Sequence, residues 1–260
     1  MLAADIIWGL VMATVEERDL FTREVLAPIG ASAGQLADKK LAGFLAMEGH
    51  LYRNELMVVG RAVNGWGSDI VPSKLARPVE AAAVADEVMS SVNGAGPCPM
   101  TWVTDHWGNP RPKYNTATSA FWRVIREVTD RLDIADTEKP SWPSHLVWSN
   151  LYKVSPNPLG NPSAALCRIQ LPGCLELMEL ETSIYRPRRL FMLTGKDWAG
   201  PFLERLGFVP FASSEFRWVE AAGETADHAP NEPARVVVAA HPQGKPQEEW
   251  VGEVMAAFQQ

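Results

Sequence analysis

The chain has 260 residues, 47% of them hydrophobic and 21% charged, which suits one globular domain with a real core and excludes a disordered chain. A net charge of −7 excludes binding to nucleic acid through a broadly basic surface, though not a small basic cleft on an acidic body. The cysteines, Cys98, Cys167 and Cys174, are three in number and lack CxxC spacing. That argues against a disulfide framework, a zinc site or an iron–sulfur cluster, and for a reducing, cytoplasmic setting.

The opening, Met1 to Val15, is apolar, but Asp5 interrupts it and no basic stretch precedes it. It reads as the start of an amphipathic helix over 2–29, and no apolar run in the chain reaches the roughly 20 residues that span a bilayer. A Gly/Ala/Ser turn at Gly30–Gly34 is expected to lead into a shorter helix ending near Met47. Leu56-Met57-Val58-Val59 ends at Gly60 and predicts a first strand over 55–60. Gly65, Gly67 and Pro72 make 61–77 a loop, and the Ala/Val/Glu-rich stretch 77–92 reads as helix. Gly94 to Asn115 is a long Pro/Gly/Trp loop carrying Trp102, His106, Trp107 and Tyr114. A loop that long with so many rings points to function rather than to a linker.

Phe121, Val124, Ile125, Val128 and Leu132 recur at helical spacing over 116–132. Leu146-Val147-Trp148-Ser149 ends at Asn150 and predicts a second strand over 145–150. Loop 155–162 follows. A helix is expected over Pro172–Tyr185 with Pro172 in its first turn, ended by Pro187. A third strand, 188–194, ends at Gly195, and a short helix follows over Asp197–Leu206. Residues 208–218 read as a strand or an aromatic loop, and 221–233 as an acidic surface loop. Arg235-Val236-Val237-Val238-Ala239-Ala240 ends at His241 and predicts a fourth strand over 234–240, with a closing helix over 247–258.

Short apolar runs separated by helices predict an α/β fold, a three-layer α/β/α sandwich on a short, mainly parallel four-stranded central sheet. One domain over 1–260 is expected, its first 50 residues a helical extension packed on it. Ligands in such sheets bind beyond the carboxyl ends of the strands. Three strand ends therefore carry the candidate chemistry. Gly60-Arg61-Ala62-Val63-Asn64-Gly65-Trp66-Gly67 lets the backbone turn sharply and approach a ligand, or is an ordinary turn with a packing Trp. Asn150 offers an amide donor and acceptor together, suited to a cyclic amide edge such as a pyrimidine, or caps a turn. His241-Pro242-Gln243-Gly244 offers an imidazole for a developing oxyanion or for proton transfer, or a satisfied loop histidine. Gly30-Ala31-Ser32-Ala33-Gly34 matches GxSxG but follows a helix instead of a strand, and Thr194-Gly195-Lys196 lacks the rest of a phosphate loop.

In order and placement these strand-end motifs resemble those of the uracil-DNA glycosylase superfamily, over about residues 55–250. The helix, proline, strand and glycine passage of Cys174-Leu175-Glu176-Leu177, Pro187, Arg188-Arg189-Leu190 and Gly195 is similar too. The resemblance implies a DNA base-excision glycosylase that hydrolyses the N-glycosidic bond of uracil or a related base. It implies that Gly60, Arg61 and Ala62 line the base pocket and that Asn150 reads the amide edge of a flipped uracil. An aromatic ring, Trp66, Trp102, Trp107 or Tyr114, would stack on the base. Neutral His241 would hydrogen-bond the uracil O2 as negative charge collects there. Asn64, Asp69 or Asp105 would position water, and Gln243, Gly244 and Lys245 would contact DNA. No cofactor or metal, no membrane and no obligate protein partner is implied; the partner is single-stranded or damaged DNA, or a nucleobase. The sequence departs from the family in two places. Arg61 and Ala62 stand where many members carry an acid or Asn, and Gln243-Gly244-Lys245 replaces the usual wedge after the HP pair. Two alternatives follow: an inactive glycosylase-like protein that binds single strands or a nucleobase, and a small-molecule enzyme acting on a nucleoside on the same sheet.

Overall fold

The structure, a computed structural model, describes residues 14–36, 39–67, 69–94, 98–111, 114–211, 215–226 and 233–260. The first part of the expected helix 2–29 lies outside these residues. From Thr14 onward the helix is present. A capping box holds its start: the Thr14 hydroxyl accepts from the Glu17 amide, and the Glu17 carboxylate accepts from the Thr14 amide. It runs through α1 (Val15–Leu20), a π-helical stretch (Phe21–Leu26) and α2 (Ala27–Ala31). A short α3 (Ala33–Leu36) follows.

The helix expected to continue to Met47 is replaced by strands. Leu41 to Met47 is an unbroken buried run, which a strand covered on both sides accommodates. It forms β1 (Leu41–Gly43) and the two-residue β2 (Met47–Glu48). Gly43 admits close packing here, since a Cβ would lie 2.7 Å from the Val88 side chain. Then come β3 (Leu56–Ala62), α4 (Pro78–Asn93), the single turn α5 (Trp102–Asp105) and α6 (Ala120–Arg131). β4 (Leu146–Tyr152) and β5 (Val154–Pro156) follow.

Helix α7 (Ala164–Tyr185) begins eight residues before Pro172, which sits inside it instead of in its first turn. The real start is set by Ser163, whose hydroxyl accepts from the Leu166 amide. The next residue after the proline, Gly173, lies against the N-terminal helix, where a Cβ would come 2.3 Å from the Glu24 carbonyl oxygen. Left-handed Arg186 ends the helix (φ 46°) just before Pro187. The chain closes with β6 (Arg189–Met192), α8 (Lys196–Arg205), β7 (Val209–Pro210), β8 (Val219–Glu224), β9 (Arg235–Ala239) and α9 (Gln247–Phe258).

Among the described residues the main sheet has seven strands, in the order β2-β4-β3-β6-β9-β8-β7, and not four. The four expected strands form its parallel centre, β4-β3-β6-β9. Antiparallel β2 extends one edge, and antiparallel β8 and β7 extend the other. β8 lies partly in the stretch read as an acidic surface loop; residues 227–232 of that stretch are outside the described set. A separate ribbon pairs β1 with β5. β1 and β2 both fall within the first 50 residues, so that segment is more than a helical extension.

Register sets the layers. Val58 pairs with both Trp148 and Phe191, which puts all three on one face. There Trp148 meets Trp122 of α6, and Phe191 meets Trp250 and Phe258 of α9. On the other face Ser149 meets Glu181 of α7, with the N-terminal helix packed on α7. The result is the three-layer α/β/α class. Among the described residues no helix is long and apolar enough to cross a membrane.

Candidate functional site

At the carboxyl edge of the parallel strands Gly60 and Asn150 are direct register partners. The Asn150 amide lies over Gly60: a Cβ there would sit 2.4 Å from Asn150 Oδ1 and 3.6 Å from the Phe121 ring. Glycine is therefore what lets the amide occupy this place. Asn150 is 2% exposed, and its Nδ2 is buried without a hydrogen-bond partner. A buried donor left unpaired costs about 1–3 kcal/mol, so the fold bears a penalty to hold this amide ready. Gly60→Ala is expected to push the amide aside and lower stability by about 1–3 kcal/mol. Thermal melting checks this; an unchanged midpoint would contradict it.

Two strands further across, His241 follows β9. The residue before it is fixed at both its backbone groups: the Ala240 amide donates to the Trp218 carbonyl at 2.9 Å, and Trp250 Nε1 donates to the Ala240 carbonyl at 3.0 Å. The Gln243 amide donates to His241 Nδ1 at 3.3 Å, which leaves the proton of the neutral ring on Nε2. Burial, with Arg61 and Lys245 nearby, holds the His241 pKa below its ordinary value. The ring is therefore neutral at pH 7, a hydrogen-bond donor without a charge to lose. Neighbouring strands are about 4.8 Å apart, so Asn150 and His241 stand roughly 14 Å apart across one edge of the sheet.

Arg61 follows Gly60 on β3. Its Nε donates to the Thr194 carbonyl at 2.6 Å, and its guanidinium lies 5.3 Å from the Trp198 ring centre. Arg61 thus braces the β6–α8 turn and contributes positive potential beside His241. Asn64 is exposed, and its Oδ1 accepts from the Gly160 amide at 2.9 Å. Next to it Gly65 has φ +70° and lies so close to Pro158 that a Cβ would meet its carbonyl at 2.1 Å. The 64–65 turn is thereby clamped to loop 157–160, and the Asn64 oxygen is engaged there. Asp69 is also a clamp, bonded to Lys40 and to Asn157 and held below the usual carboxylate range mainly by Lys40. Asp105 is exposed.

The four aromatic candidates separate. Trp66 lies 5.2 Å from Trp102 and 5.9 Å from Trp148, and Tyr114 lies 6.4 Å from Trp102. Trp107 turns away to Trp142, with Arg126 over its ring. Sequence reasoning misses Trp148, two residues before Asn150 on the same strand face, although strand alternation is a signal that could find it. It misses Trp122, Phe121 and Trp198 as well. Ring nitrogens of Trp102 and Trp148 are also buried without partners.

Two surface clefts lie elsewhere and include neither Asn150 nor His241. One, of about 570 Å³, is lined by Glu16, Arg23, Glu179 and Arg205. The other, of about 460 Å³, runs between α8 and the β7–β8 hairpin. Asn150 Nδ2 is closed to solvent, so a ligand reaches it only once a covering side chain moves. Trp66 rides on a turn flanked by two positive-φ glycines, Gly65 and Gly67, and covers the same aromatic wall. Among the described residues no group of three or more His, Cys, Asp or Glu could hold a metal ion. In comparison with known proteins, the sequence matches no family model and no curated protein.

Proposed function

We propose that the protein recognises a nucleobase at the carboxyl edge of its sheet and acts as a uracil-DNA glycosylase-like enzyme on uracil or a related damaged base in DNA. The observation that carries the reading is the buried, unpartnered Asn150 amide over Gly60. In the reaction the hydroxyl of a water replaces the base at the sugar C1′, the electron pair of the broken bond goes to the base, and the proton the water releases ends on the departed base by way of solvent. His241 Nε2–H would donate to the oxygen that gathers this charge, without first having to give up a proton. Extrusion of the base costs a few kcal/mol, least from single strands. This reading needs no cofactor. The three free cysteines suit a reducing setting.

The test is incubation with uracil-containing single-stranded DNA, followed by alkaline cleavage of abasic sites. Excision is expected, with His241→Ala slower by about 10²-fold. Cleavage no greater than that given by His241→Ala would refute the enzyme. A second reading, binding without turnover, has its own support. Arg61 and Ala62 supply no acid, Asn64 Oδ1 is taken by Gly160, and Asp69 is taken by Lys40 and Asn157. Saturable uracil binding with no excision would favour it.

A further inference from the structure

We propose that the cleft between α8 and the β7–β8 hairpin binds a neutral, largely apolar small molecule, an aromatic or alkyl compound, at a site separate from Asn150 and His241. The cleft has a volume of about 460 Å³, which lies within the range of small-molecule sites. α8 contributes Gly200 and Leu203 to its lining, and the chain that follows contributes Phe208, Phe211 and Phe216. All three phenylalanines are half-buried. A single exposed apolar ring is ordinary on a protein surface, but three part-exposed rings gathered in one concave place mark a surface that something else covers.

Gly200 is the second observation. It sits inside α8, where glycine is less favourable than alanine. Crowding does not call for it: no heavy atom lies within 4 Å of the place its Cβ would take, whereas Gly173 and Gly223 are blocked at 2.3 and 2.2 Å. Its place on the cleft wall gives it a use, since it leaves open the space that a side chain would fill. At the rim Lys196 and Glu220 bring one charge of each sign, and the Glu220 carboxylate accepts from the Lys196 amide at 2.6 Å. A charged ligand would meet its like there as well as its opposite, and would give up water against phenyl rings, so a neutral ligand is favoured. A strand from a partner protein fits poorly. β7 is two residues long, and the second, Pro210, has no amide to pair.

The test is a fluorescence titration of the full chain with two probes, neutral N-phenylnaphthylamine and anilinonaphthalene sulfonate, which carries a sulfonate on the same ring system. Wild type is expected to bind the neutral probe saturably, and about fivefold or more tightly than the sulfonate. Gly200→Leu fills the open space and is expected to weaken the neutral probe about tenfold, and Phe211→Ala removes a ring and is expected to weaken it about fivefold. Leucine is the better helix former, so the melting midpoint of Gly200→Leu should stay or rise, which separates a blocked cleft from a damaged fold; Phe211→Ala decides the matter if it falls. The proposal is overturned if wild type shows no saturable binding of the neutral probe, if the sulfonate binds as tightly, or if both variants bind as wild type does. It is overturned in favour of an interface between copies of this chain if wild type sediments as a dimer and Phe211→Ala as a monomer.

Discussion

Lys153→Met is expected to destabilise the protein by about 3–5 kcal/mol, because it strips the counter-charge from a carboxylate that water cannot reach. Lys153 and Glu181 are both 0% exposed. Lys153 Nζ lies 2.5 Å from Glu181 Oε1 and 2.7 Å from Ser149 Oγ, and the Ser149 hydroxyl donates to Glu181 Oε2 at 2.7 Å. This closed triangle ties the end of β4 to the middle of α7, directly behind the strand that presents Asn150. With methionine in place of Lys153, Glu181 would keep only the serine hydroxyl, and Glu17 close by adds like charge. Denaturant unfolding at pH 7 measures the loss. Pairing the change with Glu181→Leu should recover most of the stability, since two apolar groups of similar size remove the stranded charge. A loss below about 1 kcal/mol in Lys153→Met would show that the pair contributes no more than a surface salt bridge.

That triangle could not be read from the sequence, where Lys153 and Glu181 are 28 residues apart and each looks like an ordinary charged residue. The four central strands were legible because a strand buried on both faces has to be apolar along its whole length, as Val236-Val237-Val238-Ala239 is. The edges were not. β8 is Val-Glu-Ala-Ala-Gly-Glu, with too little apolar contrast to signal a strand, and its pairing with β9 defines it. Leu41 to Met47 is rich in Ala, Leu, Phe and Met, which suit a helix as well as a strand, and tertiary burial decided between them. Pro172 misled because proline is common in first turns; only the Ser163 cap marks the true start. His241 was legible as a polar residue just past a buried strand, and Asn150 as a polar residue interrupting an apolar run, although β4 continues two residues beyond it to Tyr152. The work of Asn64 and Asp69 as loop clamps was not, because it depends on loop 157–160 folding back onto them.

The wild-type protein should lose about 3 kcal/mol of stability relative to Glu17→Gln as pH rises from 4.5 to above 7. The Glu17 side chain is fully buried. Its pKa is raised from 4.5 to about 7, first by burial and then by Glu181, against the Thr14 amide, the Tyr185 hydroxyl and Lys153. Because the folded-state value lies above that of the unfolded chain, folding favours the protonated acid. The resulting stability is fully present below pH 4.5 and is lost as pH climbs through 7. At about 1.4 kcal/mol for each pH interval between the two values, the whole effect is about 3 kcal/mol. Glutamine is a clean comparison: it keeps the capping box with Thr14 and can still meet Tyr185, which bonds both Glu17 oxygens at 3.1 Å, but it carries no titrating proton. Glu48, raised to about 7 by burial and by Glu17, acts in the same direction, so Glu17→Gln should keep a shallower decline of its own. Denaturant midpoints at pH 5, 6, 7 and 8 give the two profiles. Parallel profiles would mean that Glu17 is ionised in the fold at every pH tested, and that Lys153 and the helix N-terminus outweigh its burial.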